Sequence, residues 1–154
     1  MSIIVYDGHT LVIDNAAMKE GIKVPIIKAW TNAVGEVLTG IGNAAQIALM
    51  RDWYVDGADP LVFPASQRDG NPWCDFFVVS KGGVKRYEKT PSAIDHGQHK
   101  CAFGLGHEIA IGAMAAGADA KKAAFIVTQF HPYCGHGINS YVWEEENAPY
   151  QTIN

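Results

Sequence analysis

SIIVYDGHTLVID, residues 2–14, holds two runs of β-branched and apolar residues, 3–6 and 10–13, on either side of Asp7-Gly8. Such a pattern predicts a β-hairpin. Turn length then decides what faces the end of the return strand, because a slip of one residue moves every partner. A two-residue turn at 7–8 puts Asp14 opposite Met1, and a three-residue turn at 7–9 puts it opposite Ser2. Either register leaves a carboxylate beside the start of the chain.

Outward from the hairpin, residues 23–30 form a second short β run. Pro25 must begin or edge that strand, since it has no N–H for a ladder, and 34–39 can supply the partner. Past Gly40-Ile41-Gly42 the spacing turns helical: Asn43 caps, and Ala44, Ile47, Ala48, Met50, Trp53 and Tyr54 recur on one face, predicting a helix over 43–56. Asp56-Gly57, Asp59-Pro60, Pro64 and Gly70-Asn71-Pro72 turn the next stretch into loop or a broken short helix. Residues 76–79 and 84–87 flank Lys81-Gly82-Gly83 as a second hairpin. The stretch 90–100 is polar and contains Pro and His, and 101–103 reads as a short strand before Gly104-Leu105-Gly106. Helices follow over 106–116 and 119–131, the second capped by Asp119 and stopped by Pro132, and a last strand over 138–143 precedes an acidic run at 144–146. Strands, helix, strands, two helices and a strand make an α+β chain in which helices cover sheets.

The 154 residues suffice for one domain, 1–154, with a core over 2–143 and a polar tail over 144–154. A chain of this length buries about 68–70% of its unfolded surface and needs no metal or disulfide staple. With 48% hydrophobic residues and a net charge of −4, disorder and a nucleic-acid partner are disfavoured. No Lys or Arg precedes Asp7, so no secretory signal is read, and the uncharged stretch 123–143 is interrupted by His131, Pro132, Gly135, His136 and Asn139. A cytoplasmic protein with no membrane span is expected. Cys74, Cys101 and Cys134 are odd in number and lack CxxC spacing, as reduced thiols would be. Trp30, Trp53, Trp73 and Trp143 belong to core or subunit interface, because no basic patch accompanies them.

Four stretches together, SIIVYDGHTLVID, IIKAW at 26–30, LTGIGNAAQIALMRDW at 38–53 and FGLGHEIAIGAMAAGADAKKAA at 103–124, resemble the proteasome β-subunit family of N-terminal-nucleophile hydrolases. In spacing the chain is most similar to the peptidase subunit of the bacterial ATP-dependent heat-shock protease and its short phage relatives. The resemblance spans residues 2–143, and it rests on motif order more than on any one motif. It implies a four-layer α/β/β/α sandwich of two antiparallel sheets between helices 43–56 and 106–131. It also implies a homo-oligomeric ring, a peptide or protein substrate, an ATP-dependent unfoldase as partner, and no cofactor or metal.

By the same resemblance the nucleophile is Ser2, exposed when Met1 is removed, with its own α-amine as general base. A free α-amine has a reference pKa of about 7.7–8.0 and can take a hydroxyl proton near neutrality, whereas an amide nitrogen cannot. Lys28 matches the family's lysine, held by Asp14 and lowering the pKa of the amine and hydroxyl. Gly42 N–H matches the oxyanion donor. Three supporting positions depart from the pattern. Leu105 stands where active relatives carry a serine hydroxyl, and His131 and Cys134 stand where they carry aspartate and Ser or Thr. These departures favour the alternative, a catalytically silent member that keeps the fold for structural, assembly or regulatory work. An amidase acting on a small molecule would share the peptidase chemistry. A rival chemistry is zinc on His96, His99 and Cys101 or on His131, Cys134 and His136, although neither spacing is a familiar finger.

Overall fold

A computed structural model describes residues 2–64 and 74–143 and the backbone of 151–153. In chain order the elements are β1 (Ile3–Tyr6), β2 (Thr10–Asp14), β3 (Ala16–Lys19), β4 (Ile22–Pro25), β5 (Ala29–Thr31), β6 (Val37–Gly42), α1 (Ala44–Val55) and a short 3-10 turn (Pro60–Val62). They continue as β7 (Cys74–Ser80), β8 (Gly83–Tyr87), β9 (Ile94–Gly97), β10 (Cys101–Gly104), α2 (His107–Ala115), α3 (Ala120–Phe130), β11 (Ile138–Val142) and β12 (Gln151–Ile153). The chain divides into two compact units, 1–28 with 98–154, and 29–97.

In the first unit the sheet runs β10-β1-β2-β11-β12, antiparallel throughout, and β3 pairs with β4 in a separate ribbon. All four residues of β1 are buried, as a central strand covered on both faces requires. Ile3, Val5 and Val12 pack with Ala110, Met114, Ala123, Ala124 and Val127 of α2 and α3. The small residues of those helices let them lie close to the strands.

The β1–β2 register corrects both expected turns. Tyr6 pairs with Leu11 and Ile4 with Ile13, so four residues, 7–10, make the connection. Asp7 explains it: its Oδ1 accepts from His9 N (3.1 Å) and Thr10 N (2.8 Å), its own N–H reaches Thr10 O, and its Oδ2 accepts from Ala120 N (2.9 Å) at the start of α3. An Asx-type turn that also caps a helix outcompetes the tight Asp-Gly turn. Asp14 consequently sits by Ile3, one residue past the expected Ser2.

The second unit is a five-stranded antiparallel sheet, β5-β6-β7-β8-β9, whose core joins Leu38, Phe76, Val78 and Tyr87 to Ile47, Met50 and Trp53 of α1. Trp53 meets Phe63 and Tyr87 edge-on, placing it in the core, while Arg51 stacks over Trp30. Asn43 caps α1 by accepting from Gln46 N, and Asp119 caps α3 by accepting from Lys122 N, as predicted. At Gly40 a Cβ would meet Ile47 side-chain atoms at 2.6–3.0 Å, so the close approach of β6 and α1 needs glycine.

Other expectations are corrected. The run 23–30 is not one strand: it breaks after Pro25, β4 pairs back on β3, and only β5 pairs with β6. The stretch 90–100 contains β9, although His96 and Gly97 carry little β signal, because the β8 edge supplies the pairing. Gln151–Ile153, in the expected polar tail, pairs with β11. Trp73 and the acidic run 144–146 lie outside the described residues.

Candidate active site

Asp14 ends β2 with its side chain 0% exposed. Its Oδ1 accepts from Lys28 Nζ (2.9 Å) and Ile3 N (3.0 Å), and its Oδ2 accepts from Gly135 N (3.2 Å) and Ala16 N (3.3 Å). A carboxylate has about four acceptor positions. One side chain thus ties together the start of β1, the entry to β3, the segment before β5 and the loop after α3. Lys28 is 6% exposed, and removing a charge from water is costly unless it is paired and hydrogen-bonded, as both members are here. Burial pulls the Lys28 ammonium below the ordinary lysine range, against the hydrogen bond and charge of Asp14. A lysine so placed gives up its proton more readily than a solvated one.

Ser2, 4% exposed, precedes β1, and its carbonyl accepts from Leu105 N (2.9 Å). Leu105 lies between two glycines with positive φ, Gly104 (94°) and Gly106 (77°). A Cβ on Gly106 would stand 2.7 Å from Val127 Cγ1, so this turn onto α2 requires glycine. The Leu105 side chain packs against the core under α2 and α3, and its carbonyl accepts from Cys134 Sγ at 3.5 Å. Burial, with the Asp14 charge adding, pushes the Cys134 thiol up to about 11. It therefore stays protonated at neutral pH and offers no thiolate nucleophile. His131 ends α3, accepts from Cys134 N (3.2 Å) through its carbonyl, and meets Tyr133 at a tilt of 53° with ring centroids 5.9 Å apart.

Ser2, Asp14, Lys28, Leu105, His131 and Cys134 thus form one connected set within the first unit. Gly42 belongs to the second unit, where it closes β6 opposite Cys74 with φ 114°. Sequence reading missed the backbone donors of Ala16 and Gly135 and the role of the loop 131–137. The signal available was Gly135-His136-Gly137, all three with positive φ, which marks a backbone turned back on itself. Among the described residues no group of three or more His, Cys, Asp or Glu is placed to hold a metal, so neither histidine cluster is gathered.

No protein-family model matches the sequence, and no curated protein sequence matches it. Solved structures do. A BPH from Thiobacillus denitrificans in complex with epoxomicin superimposes with a TM-score of 0.66 at 16% identity, over 95% of this chain and 99% of that one. The HslV of Trypanosoma brucei gives 0.67 at 19% identity over 94% and 100%, and a Gly-1 mutant of Anbu from Hyphomicrobium sp. strain MC1 gives 0.64 at 12% over 99% and 87%. All three are proteasome-like, and near-complete coverage in both directions means that the whole architecture is shared. With its helices and antiparallel sheets, the chain has the α+β fold of the proteasome-like N-terminal-nucleophile hydrolases.

Proposed function

We propose that the chain is a proteasome-type peptidase in which Ser2, made N-terminal by removal of Met1, is the nucleophile. The observation that carries this reading is the buried Asp14–Lys28 pair, anchored to Ile3 N at the residue next to Ser2. An ion pair replaced by apolar groups of similar volume often costs nothing in stability, so one built at the chain's start has a chemical rationale. In the proposed reaction Ser2 Oγ attacks a peptide carbonyl while the α-amine takes the hydroxyl proton. The amine then passes that proton to the leaving nitrogen, and water hydrolyses the acyl-enzyme ester by the same route. Lys28, its ammonium held by Asp14, lowers the pKa of the amine and hydroxyl electrostatically. An open cavity of about 320 Å³ in the first unit, walled by Pro25, Ile26 and Ile27 together with Asn15, His136 and Asn139, has the size and mixed lining to take a substrate side chain.

The reading extends, through the family resemblance of the sequence, to a homo-oligomeric ring, an ATP-dependent unfoldase partner and a cytoplasmic setting. Among the described residues no helix is long and apolar enough to cross a membrane. A second reading, a silent structural member of the fold, is favoured by Leu105, which offers no hydroxyl near Ser2, and by the Cys134 thiol, which is directed at Leu105 O.

Intact mass of the natively expressed protein, followed by a peptide–fluorophore assay, tests the proposal. Met1 should be absent, hydrolysis should be lost in Ser2→Ala, and epoxomicin, the ligand of the Thiobacillus neighbour, should add its mass to the wild type only. A retained Met1 with no hydrolysis supports the silent reading.

A further inference from the structure

We infer that Lys23 and His136 are positioning residues for the Asp14 carboxylate: they clamp the loop after α3 onto β4 and so aim the Gly135 N–H at Asp14 Oδ2. Lys23, on β4, donates from Nζ to Pro132 O (3.4 Å) and Cys134 O (3.2 Å). Its own carbonyl is met by His136 Nε2 at 3.1 Å, and since a carbonyl only accepts, that nitrogen carries the proton. The three contacts bracket Gly135 on both sides in sequence. From the opposite side Asn15 N donates to Gly135 O (3.1 Å) and Gly137 O (3.2 Å), so the loop is held between β4 and the residue after Asp14.

Two features of the loop accord with a shape held from outside. His136 holds φ 54°, rare for a residue with a side chain, between Gly135 at 131° and Gly137 at 81°. A Cβ on Gly135 would lie 3.5 Å from Lys23 Nζ, so the ammonium rests directly against the turn. It also sits at carbonyls just past the C-terminus of α3, where a cation is favoured. Without the clamp, Gly135 N withdraws from Oδ2 and the carboxylate leans on Lys28 more strongly. The inference rests on the peptidase reading only for the purpose of the site; the clamp itself is measurable without activity.

The test is amide hydrogen exchange at Gly135 in the full chain, for the wild type, Lys23→Met, Lys23→Arg and His136→Asn, the last because Asn tolerates positive φ. Lys23→Met and His136→Asn should each speed Gly135 exchange about fivefold or more, the protection given by one hydrogen bond. Amides of Val5 and Val12 should keep their protection, showing that the sheet is intact, and Lys23→Arg should behave as wild type. The Lys28 ammonium, followed by carbon NMR, should titrate higher in both disrupted variants, including His136→Asn, which removes no ammonium. Unchanged Gly135 exchange in both variants overturns the clamp. In an active protein Lys23→Met, which lies outside the cavity wall, lowers kcat with KM retained; a wild type without hydrolysis refutes the peptidase reading alone, and the exchange result still decides the clamp.

Discussion

Replacing Asp14 with alanine takes the carboxylate away from the buried Lys28 cation and deprives the Ile3, Ala16 and Gly135 N–H groups of their acceptor. Removing one partner of a buried ion pair costs about 3–5 kcal/mol. Stranded backbone donors cost about 1–3 kcal/mol each when they stay dry, but water entering the vacated space relieves most of that. A loss of about 4 kcal/mol is therefore expected, out of the roughly 5–15 kcal/mol typical of a domain. At about 2–4 °C per kcal/mol for this chain length, the midpoint of thermal unfolding falls by about 8–16 °C. Lys28→Met should cost less, about 2–3 kcal/mol, because the carboxylate it leaves behind keeps three N–H donors. The double variant isolates the pair. Its loss should be smaller than the sum of the single losses by about 1–3 kcal/mol, measured by urea denaturation followed through the fluorescence of buried Trp53. Single losses below about 1 kcal/mol, the range of solvent-exposed pairs, or strictly additive losses, would refute the reasoning.

Three further outcomes are expected. Gly40→Ala should lose about 1–3 kcal/mol by driving a methyl into Ile47, and Ile47→Ala in the same chain should relieve part of the clash, so that the two changes are non-additive in urea. Leu105→Ser should raise kcat toward a peptide–fluorophore substrate by restoring a hydroxyl near Ser2, while lowering stability by about 1 kcal/mol through lost packing; an unchanged kcat refutes the hydroxyl's proposed role. Under reducing conditions stability should fall as pH rises above about 9, because burial raises the Cys101 and Cys134 thiols to about 11 and Cys74 to about 12. The folded state then holds protons that the unfolded state has released, so stabilisation present below the ordinary thiol pKa is lost through this window. Lys28 acts with the opposite sign: its lowered pKa means the unfolded state binds the extra proton, and its penalty lifts as pH approaches the ordinary lysine value. Urea midpoints at pH 7.5 and 10 measure the balance, and a flat profile contradicts the dominance of the thiols.

Much of the architecture was legible locally. Asn43 and Asp119 each place a carbonyl or carboxylate oxygen over the first turn of a helix whose apolar spacing is already visible, so α1 and α3 were foreseen nearly to the residue. The β7–β8 hairpin was likewise foreseen from two β-rich runs about a glycine turn. Strands without such local signals were not. Ala16–Lys19 is helix-tolerant by composition and becomes a strand only because Ile22–Pro25 lies beside it, and β9 and β12 form because sheet edges accept their backbones whatever side chains they carry.

The chain's own order of residues determined the class of fold, the caps and breaks of its helices, and the presence of a serine, an aspartate and a lysine at spacings that suit one site. These are properties of neighbours along the chain, where propensity and turn chemistry act over a few residues. Tertiary structure alone decided the hairpin register, because Asp7 answers to Ala120, more than a hundred positions away. It alone decided that Asp14 is satisfied by Gly135 as well as by Lys28. The reason is physical: a buried carboxylate must find every one of its donors, and backbone N–H groups, which all residues but proline possess, leave no mark in sequence to say which of them will be brought there.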